Sequence, residues 1–107
     1  ALLQDEPTVH IVNTQNRGAI PDLPDDAVVE VPCEVSRHGV RSLRRGAVDP
    51  SILGLIQAVK AYERLGVAAA VERSRDKAFM ALVAHPLVPD VVVARDVLDA
   101  IIARGIL

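Results

Sequence analysis

The residues able to do chemistry in this chain are few and far apart. His10, His38 and His85 fall in a predicted strand, a loop and a helix end, and none has the i, i+4 partner of an H-E-x-x-H metal site. His85 precedes Pro86, where it is expected to cap helix-terminal carbonyls. Cys33 follows a strand and is expected to be buried as a small hydrophobe. Asp25 and Asp26 adjoin in a turn, the usual setting of solvated turn formers. Tyr62 belongs to an apolar helical stripe, so packing is its expected role. Arg37, His38, Arg41, Arg44 and Arg45 form a local basic cluster. Planar guanidinium donors suit phosphate oxygens. However, neither G-x-G-x-x-G nor G-x-x-x-x-G-K-[ST] accompanies them, and a solvated hairpin surface or an intersubunit salt-bridge patch is the expected role.

The elements that must position these groups are drawn from an unusual core. Half of the 107 residues (50%) are apolar, yet Tyr62 and Phe79 are the only aromatic ones. The core must therefore be built from Val, Leu, Ile and Ala. A net charge of −2 argues against a general nucleic-acid binder, which needs an excess of Lys and Arg. No apolar run approaches the roughly 20 residues of a membrane span. A single cysteine excludes an internal disulfide and fits a reducing, cytoplasmic compartment. The opening Ala1-Leu-Leu-Gln-Asp-Glu has the character of a boundary inside a longer chain.

Along the chain, strands are expected first and helices afterwards, an α+β arrangement of two to four strands followed by about three helices. Thr8 to Asn13 is expected to be a partly buried strand, with Val9 and Ile11 alternating loosely against His10 and Val12. Gly18, Pro21 and Pro24 mark a long turn-rich connection. Ala27 to Val31 is a second strand, closed by Pro32, and Val35 to Leu43 a short hairpin with His38-Gly39 near its tip. Asp49-Pro50 starts a helix. Its inward stripe is expected to carry Leu55 and Val59, so that Leu55→Ala costs about 2–5 kcal/mol. Ser74 and Asp90 are the expected N-caps of two further helices, which end at His85-Pro86 and Gly105.

Asn13-Thr-Gln-Asn16-Arg-Gly18-Ala-Ile20-Pro-Asp-Leu23-Pro24 is followed by Val29-Glu30-Val31-Pro32, then Tyr62-Glu63-Arg64-Leu65 and His85-Pro86-Leu87-Val88. In this order and at these separations, the motifs resemble the C-terminal portion of family 4 glycoside hydrolases, nearest the 6-phospho-β-glucosidase branch. The likeness runs from about Val9 to the C-terminus. It implies that residues 1–107 form one segment, the C-terminal part of the substrate-side domain of a longer enzyme. The implied parent hydrolyses a phosphorylated disaccharide or glucoside with NAD and a divalent metal, typically manganese. NAD oxidises the sugar at C3, a tyrosine base removes the acidified C2 proton, and the aglycone leaves C1 by elimination. Such enzymes are exceptions to the two-carboxylate scheme.

The family's dinucleotide loop, metal-binding Cys and His, and tyrosine base all lie upstream of this segment. Neither Cys33 nor Tyr62 matches their motifs, so no catalytic, cofactor or metal residue is carried over. Ser42, Arg44 and Arg45 also depart from the family pattern, which more often has Pro and small apolar residues there. Asn13, Asn16, Arg17 and Gly18 are the candidates for a loop bordering the active site, because glycine permits close backbone approach. A structural turn capped by the Asn side chains is the competing role. The resemblance further implies a homo-oligomer. Alternatives are another specificity of the family, such as α-glucosidase or α-galactosidase, or a free-standing oligomerisation or ligand-binding module of the same ancestry. With no phosphate-cradling glycine loop, the segment alone should show no saturable NAD isotherm in calorimetry. A micromolar isotherm would overturn the upstream placement of the nucleotide site.

Overall fold

Valines alternating with charged or polar residues organise the first half of the chain. Strands β1 (Thr8–Gln15), β2 (Val28–Ser36) and β3 (Gly39–Ser42) form an antiparallel sheet in the order β1-β2-β3. A computed structural model describes residues 1–107 and divides them into two compact units, Ala1–Asp49 and Pro50–Leu107. The expected succession of strands and then helices is what the fold contains.

Directly opposed residues of antiparallel strands lie on one face. Val29, Val31, Cys33 and Val35 of β2 are buried, and opposite them stand Thr14, Val12, His10 and Thr8. Val9 and Ile11 therefore share the other face with Glu34 and Pro32, and they are 59% and 62% exposed. The loose alternation expected for β1 is present, with Val12 and not Val9 or Ile11 on the side of the buried β2 valines. Alternation within one short strand gives the period but not the buried side, and it was the register against β2 that chose Val12.

Strand β2 also runs through Pro32 instead of stopping before it. Cys33 pairs with Ser42, so the missing Pro32 N–H falls opposite Leu43, one residue past the end of β3. The carbonyl is still used, accepting from the Leu43 N–H at 3.0 Å. Proline is thus placed where the ladder has run out. The hairpin turns at Arg37-His38, with the His38 N–H donating to Ser36 Oγ at 3.2 Å.

The second unit contains α1 (Pro50–Glu72), α2 (Arg75–Ala84) and α3 (Val91–Ala103), bounded by the signals present in the sequence. Asp49-Pro50 begins α1, and Arg73 ends it in the left-handed region at φ 52°. Ser74 Oγ accepts from the Lys77 N–H at 3.2 Å, and Asp90 Oδ1 accepts from the Val93 N–H at 2.9 Å. His85 is the C-cap of α2 and fills the expected carbonyl-capping role through its backbone, not its ring. Its backbone N–H donates to the Leu82 carbonyl, while ring Nδ1 accepts from the Leu87 N–H at 3.1 Å. The imidazole stands edge-on to Tyr62, with ring centroids 4.4 Å apart.

Helix α2 packs against both α1 and α3. The buried positions are Ala69, Ala81, Ala94 and Leu98, small residues that let helix backbones approach, plus one large anchor. Leu55 is 57% exposed, so its expected place on an inward stripe is not found, and Val59 is only half-buried. Helix α1 is apolar around most of its circumference, and periodicity along such a helix does not single out the packed side. Leu98→Ala is expected to cost about 2–5 kcal/mol in urea melts, and Leu55→Ala no more than about 0.5 kcal/mol. Equal losses would overturn this assignment of the packed faces.

Candidate functional site

The connection from β1 to β2 is built around one side chain. Asn16 is fully buried (0% exposed) and is the one polar residue in the core. Its Nδ2 donates to the carbonyls of Ile20 (2.8 Å), Leu23 (2.9 Å) and Pro24 (3.2 Å). Its Oδ1 accepts from the Ile20 N–H at 2.7 Å. The backbone is used as fully, since the Asn16 N–H reaches the Ala27 carbonyl at 2.7 Å and its own carbonyl takes the Ala19 N–H at 2.8 Å. Buried Ala19, Leu23 and Ala27 pack within this loop.

The chain escapes the sheet through two successive left-handed residues, Arg17 at φ 43° and Gly18 at φ 83°. Glycine adopts this region freely, whereas a non-glycine residue there carries a cost of about 1–2 kcal/mol. The Arg17 N–H bonds the Asp25 carbonyl at 2.9 Å, holding that residue in place. Its exposed guanidinium donates through Nε and Nη2 to Gln15 Oε1, at 3.1 and 3.0 Å. The segment after β3 is tied to the same loop: the Arg45 N–H donates to the Ala19 carbonyl at 2.8 Å, and the Val48 N–H to Asp22 Oδ2 at 2.9 Å.

The four residues selected from the sequence thus separate by role. Asn16 is internal and holds the loop; Gly18 is half-buried at its bend; Asn13 and Arg17 are exposed. Asn13 and Gln15 share the outward face of β1, and Gln15 is the partner that orients Arg17. Gln15 was not among the expected residues. Its signal was the period of two that links positions 13, 15 and 17. Together these side chains offer amide and guanidinium donors suited to hydroxyl or anionic groups.

The basic cluster is largely paired at the surface. Arg37 Nε lies 2.9 Å from Asp5 Oδ1 and His38 Nε2 lies 3.7 Å from it, while Arg41 pairs with Glu34. Cys33 is fully buried, with Sγ 3.5 Å from the Val31 carbonyl. No group of three His, Cys, Asp or Glu side chains comes together. The residues present do not fit a metal or dinucleotide site, and no chemical step through such a group is derived from them. In the helical unit, a largely apolar groove of about 560 Å³ runs between α1, α2 and the end of α3, with Tyr62 and Arg73 among its lining residues.

The architecture is that of an α+β segment carrying a braced surface loop and no catalytic constellation of its own. A family profile described as the family 4 glycosyl hydrolase C-terminal domain matches residues 1–88, and the chain belongs to that family. It is 49% identical over 98 residues to a 6-phospho-beta-glucosidase of Thermotoga maritima, covering 92% of this chain and 24% of that one. A Thermotoga maritima 6-phospho-beta-glucosidase structure with NAD and glucose-6-phosphate superimposes with a TM-score of 0.85 at 48% identity, over 95% of this chain and 25% of that one. A 6-phospho-alpha-glucosidase structure from gut microorganisms, with NAD and Mn2+, superimposes with a TM-score of 0.86 at 38% identity, over 92% and 23%. The chain spans about a quarter of the length of these relatives.

Replacing Asn16 by Ala strips the side-chain partner from the half-buried Ile20 N–H and from the Leu23 carbonyl, while the Ile20 and Pro24 carbonyls keep the Leu23 and Ala27 N–H groups. Asn16→Ala should destabilise the sheet unit by at least about 1–3 kcal/mol. It should also speed hydrogen exchange selectively over residues 19–27. Unchanged melting and exchange would show that backbone bonds alone hold the loop.

Proposed function

We propose that this chain is the C-terminal part of the substrate-side domain of a 6-phospho-β-glucosidase that uses NAD and a divalent metal, with manganese as the preferred ion. The 49% identity to the Thermotoga maritima 6-phospho-beta-glucosidase carries this reading. The presence of NAD with glucose-6-phosphate in one related structure and NAD with Mn2+ in another supports the cofactor and substrate class. In this role the chain supplies no catalytic group. The braced connection Asn16–Ala27 borders the active site: Asn16 and Gly18 set its backbone, and Asn13 and Arg17 present donors to the phosphorylated sugar.

A phosphorylated substrate, a lone buried thiol and the absence of a helix long and apolar enough to cross a membrane are consistent with a cytoplasmic setting. Exposed Val67, Val71, Leu87 and Val92 offer apolar surface for contact with the rest of the enzyme or with a second copy, and the whole enzyme works as a homo-oligomer. Cleavage of 6-phospho-α-glucosides is the second reading, favoured by the equally good superposition on the alpha-glucosidase structure.

The test is hydrolysis of p-nitrophenyl 6-phospho-β-D-glucoside and its α-anomer by the protein expressed as its complete reading frame. Cleavage of the β-anomer that requires both NAD and Mn2+ is the expected result. Cleavage of the α-anomer alone would select the second reading, and activity independent of NAD would overturn both. In the same assay Arg17→Ala should raise KM while kcat stays within about twofold, as expected for loss of ground-state binding. Unaltered kinetics would remove the loop from the site.

A further inference from the structure

The partner of Arg17 is neutral, and this sets it apart from Arg37 and Arg41. Those two meet the carboxylates of Asp5 and Glu34, which offset their charge. No carboxylate pairs with Arg17. Its Nε and Nη2 both donate to one amide oxygen, Gln15 Oε1, at 3.1 and 3.0 Å. A neutral acceptor orients a guanidinium without cancelling the charge that draws an anion.

The shape of the guanidinium then fixes which donors are left. Its five N–H groups lie in one plane. Gln15 takes the edge made by Nε and Nη2. The outer edge remains, where one N–H of Nη1 and one of Nη2 run parallel. Such a pair is the fork that grips two oxygens of one phosphate. A hydroxyl has a single oxygen and fills only half of it.

The backbone beneath the arginine is also set. Arg17 stands at φ 43° between the buried Asn16 and the bend at Gly18, and its N–H is tied to the Asp25 carbonyl. Side-chain rotation is the freedom that remains, and the bonds to Gln15 restrain it. Gln15 is itself held in the ladder as the last residue of β1, opposite Val28. Glu30, the next acidic residue of β2 on that face, stands opposite Asn13, two residues farther back along β1 than Gln15.

We propose that Gln15 is a positioning residue that aims the free edge of Arg17 at the phosphate of the substrate. The proposal rests on the reading that the Asn16–Ala27 connection borders the active site. It names the group met there and the residue that prepares the contact. An arginine already held in its binding rotamer loses less freedom when the anion arrives.

Calorimetric titration of glucose 6-phosphate into the protein expressed as its complete reading frame, loaded with NAD and Mn2+, tests the proposal. Arg17→Ala should weaken binding about tenfold or more, because a charge-assisted bidentate contact is lost. Gln15→Leu should weaken it about three- to tenfold by releasing the arginine. The double variant should bind no more weakly than Arg17→Ala alone, since Gln15 acts only through that side chain. NAD affinity, measured before the sugar phosphate is added, should be unchanged in every variant, which separates lost positioning from lost folding. A Gln15→Leu protein that binds as tightly as wild type while Arg17→Ala does not would overturn the positioning role and leave the loop at the site. Additive losses in the double variant would overturn action through Arg17. No binding by the wild type, or none lost in Arg17→Ala, would overturn the place of the loop at the site as well.

Discussion

One carboxamide holds together the long connection on which the first half of this chain turns. The connection between β1 and β2 makes only scattered backbone bonds, among them Leu23 N–H to Ile20 and Ala27 N–H to Pro24, and its inward-turned carbonyls take a further donor. The Asn16 amide supplies it, reaching Ile20, Leu23 and Pro24 while Oδ1 satisfies the Ile20 N–H. A buried polar group left without partners costs far more than a satisfied one contributes. The network is complete: no buried side-chain nitrogen or oxygen lacks a partner. Fixing the loop also fixes what hangs from it, including the left-handed turn at Arg17 and Gly18 and the strap that joins Ala19 to Arg45.

Two roles competed for this residue in the sequence, a capped structural turn and a border of the active site, and the hydrogen bonds of Asn16 are those of the turn. Asn16 is a structural bracket, satisfied entirely from within. Its effect on the surface is to hold Arg17 in a strained backbone conformation beside Gln15, on the outward face that also carries Asn13. Local strain held by surrounding structure is a recurrent property of binding loops. A loop of this kind presents donors with little freedom to reorient, which is what its proposed place beside a substrate requires.

Each unit hides less apolar surface than its composition leads one to expect. The sheet leaves Val9, Ile11 and Val28 exposed, and the helices leave Leu55, Val67, Val71 and Leu87 exposed. Helices that meet through alanines approach closely but cover little area, and Leu98 is the one large side chain fully buried among them. Contiguous exposed apolar surface of this kind usually marks an interface, and the chain spans about a quarter of the relatives it matches.

Helix limits were the most legible feature of the sequence. Asp49-Pro50, Ser74, Asp90 and the His85-Pro86 stop act through bonds to backbone groups only a few residues away, so local order contained them. The succession of strands and helices and the likeness to family 4 glycosidases were legible for a similar reason: both are written in residue order. Facing was not. Val9 and Ile11 alternate as a buried strand would, and Leu55 recurs as an inward helical residue would, yet both are exposed. A period states that one side differs from the other; only the partner's register or approach decides which side is covered. The passage of β2 through Pro32 depended likewise on where β3 ended, and the role of Asn16 on carbonyls as far along the chain as Pro24. Sequence alone determined the elements and their ancestry, because these rest on local bonds and residue order. Tertiary structure decided faces and loop geometry, because these rest on groups that meet only after the chain has folded.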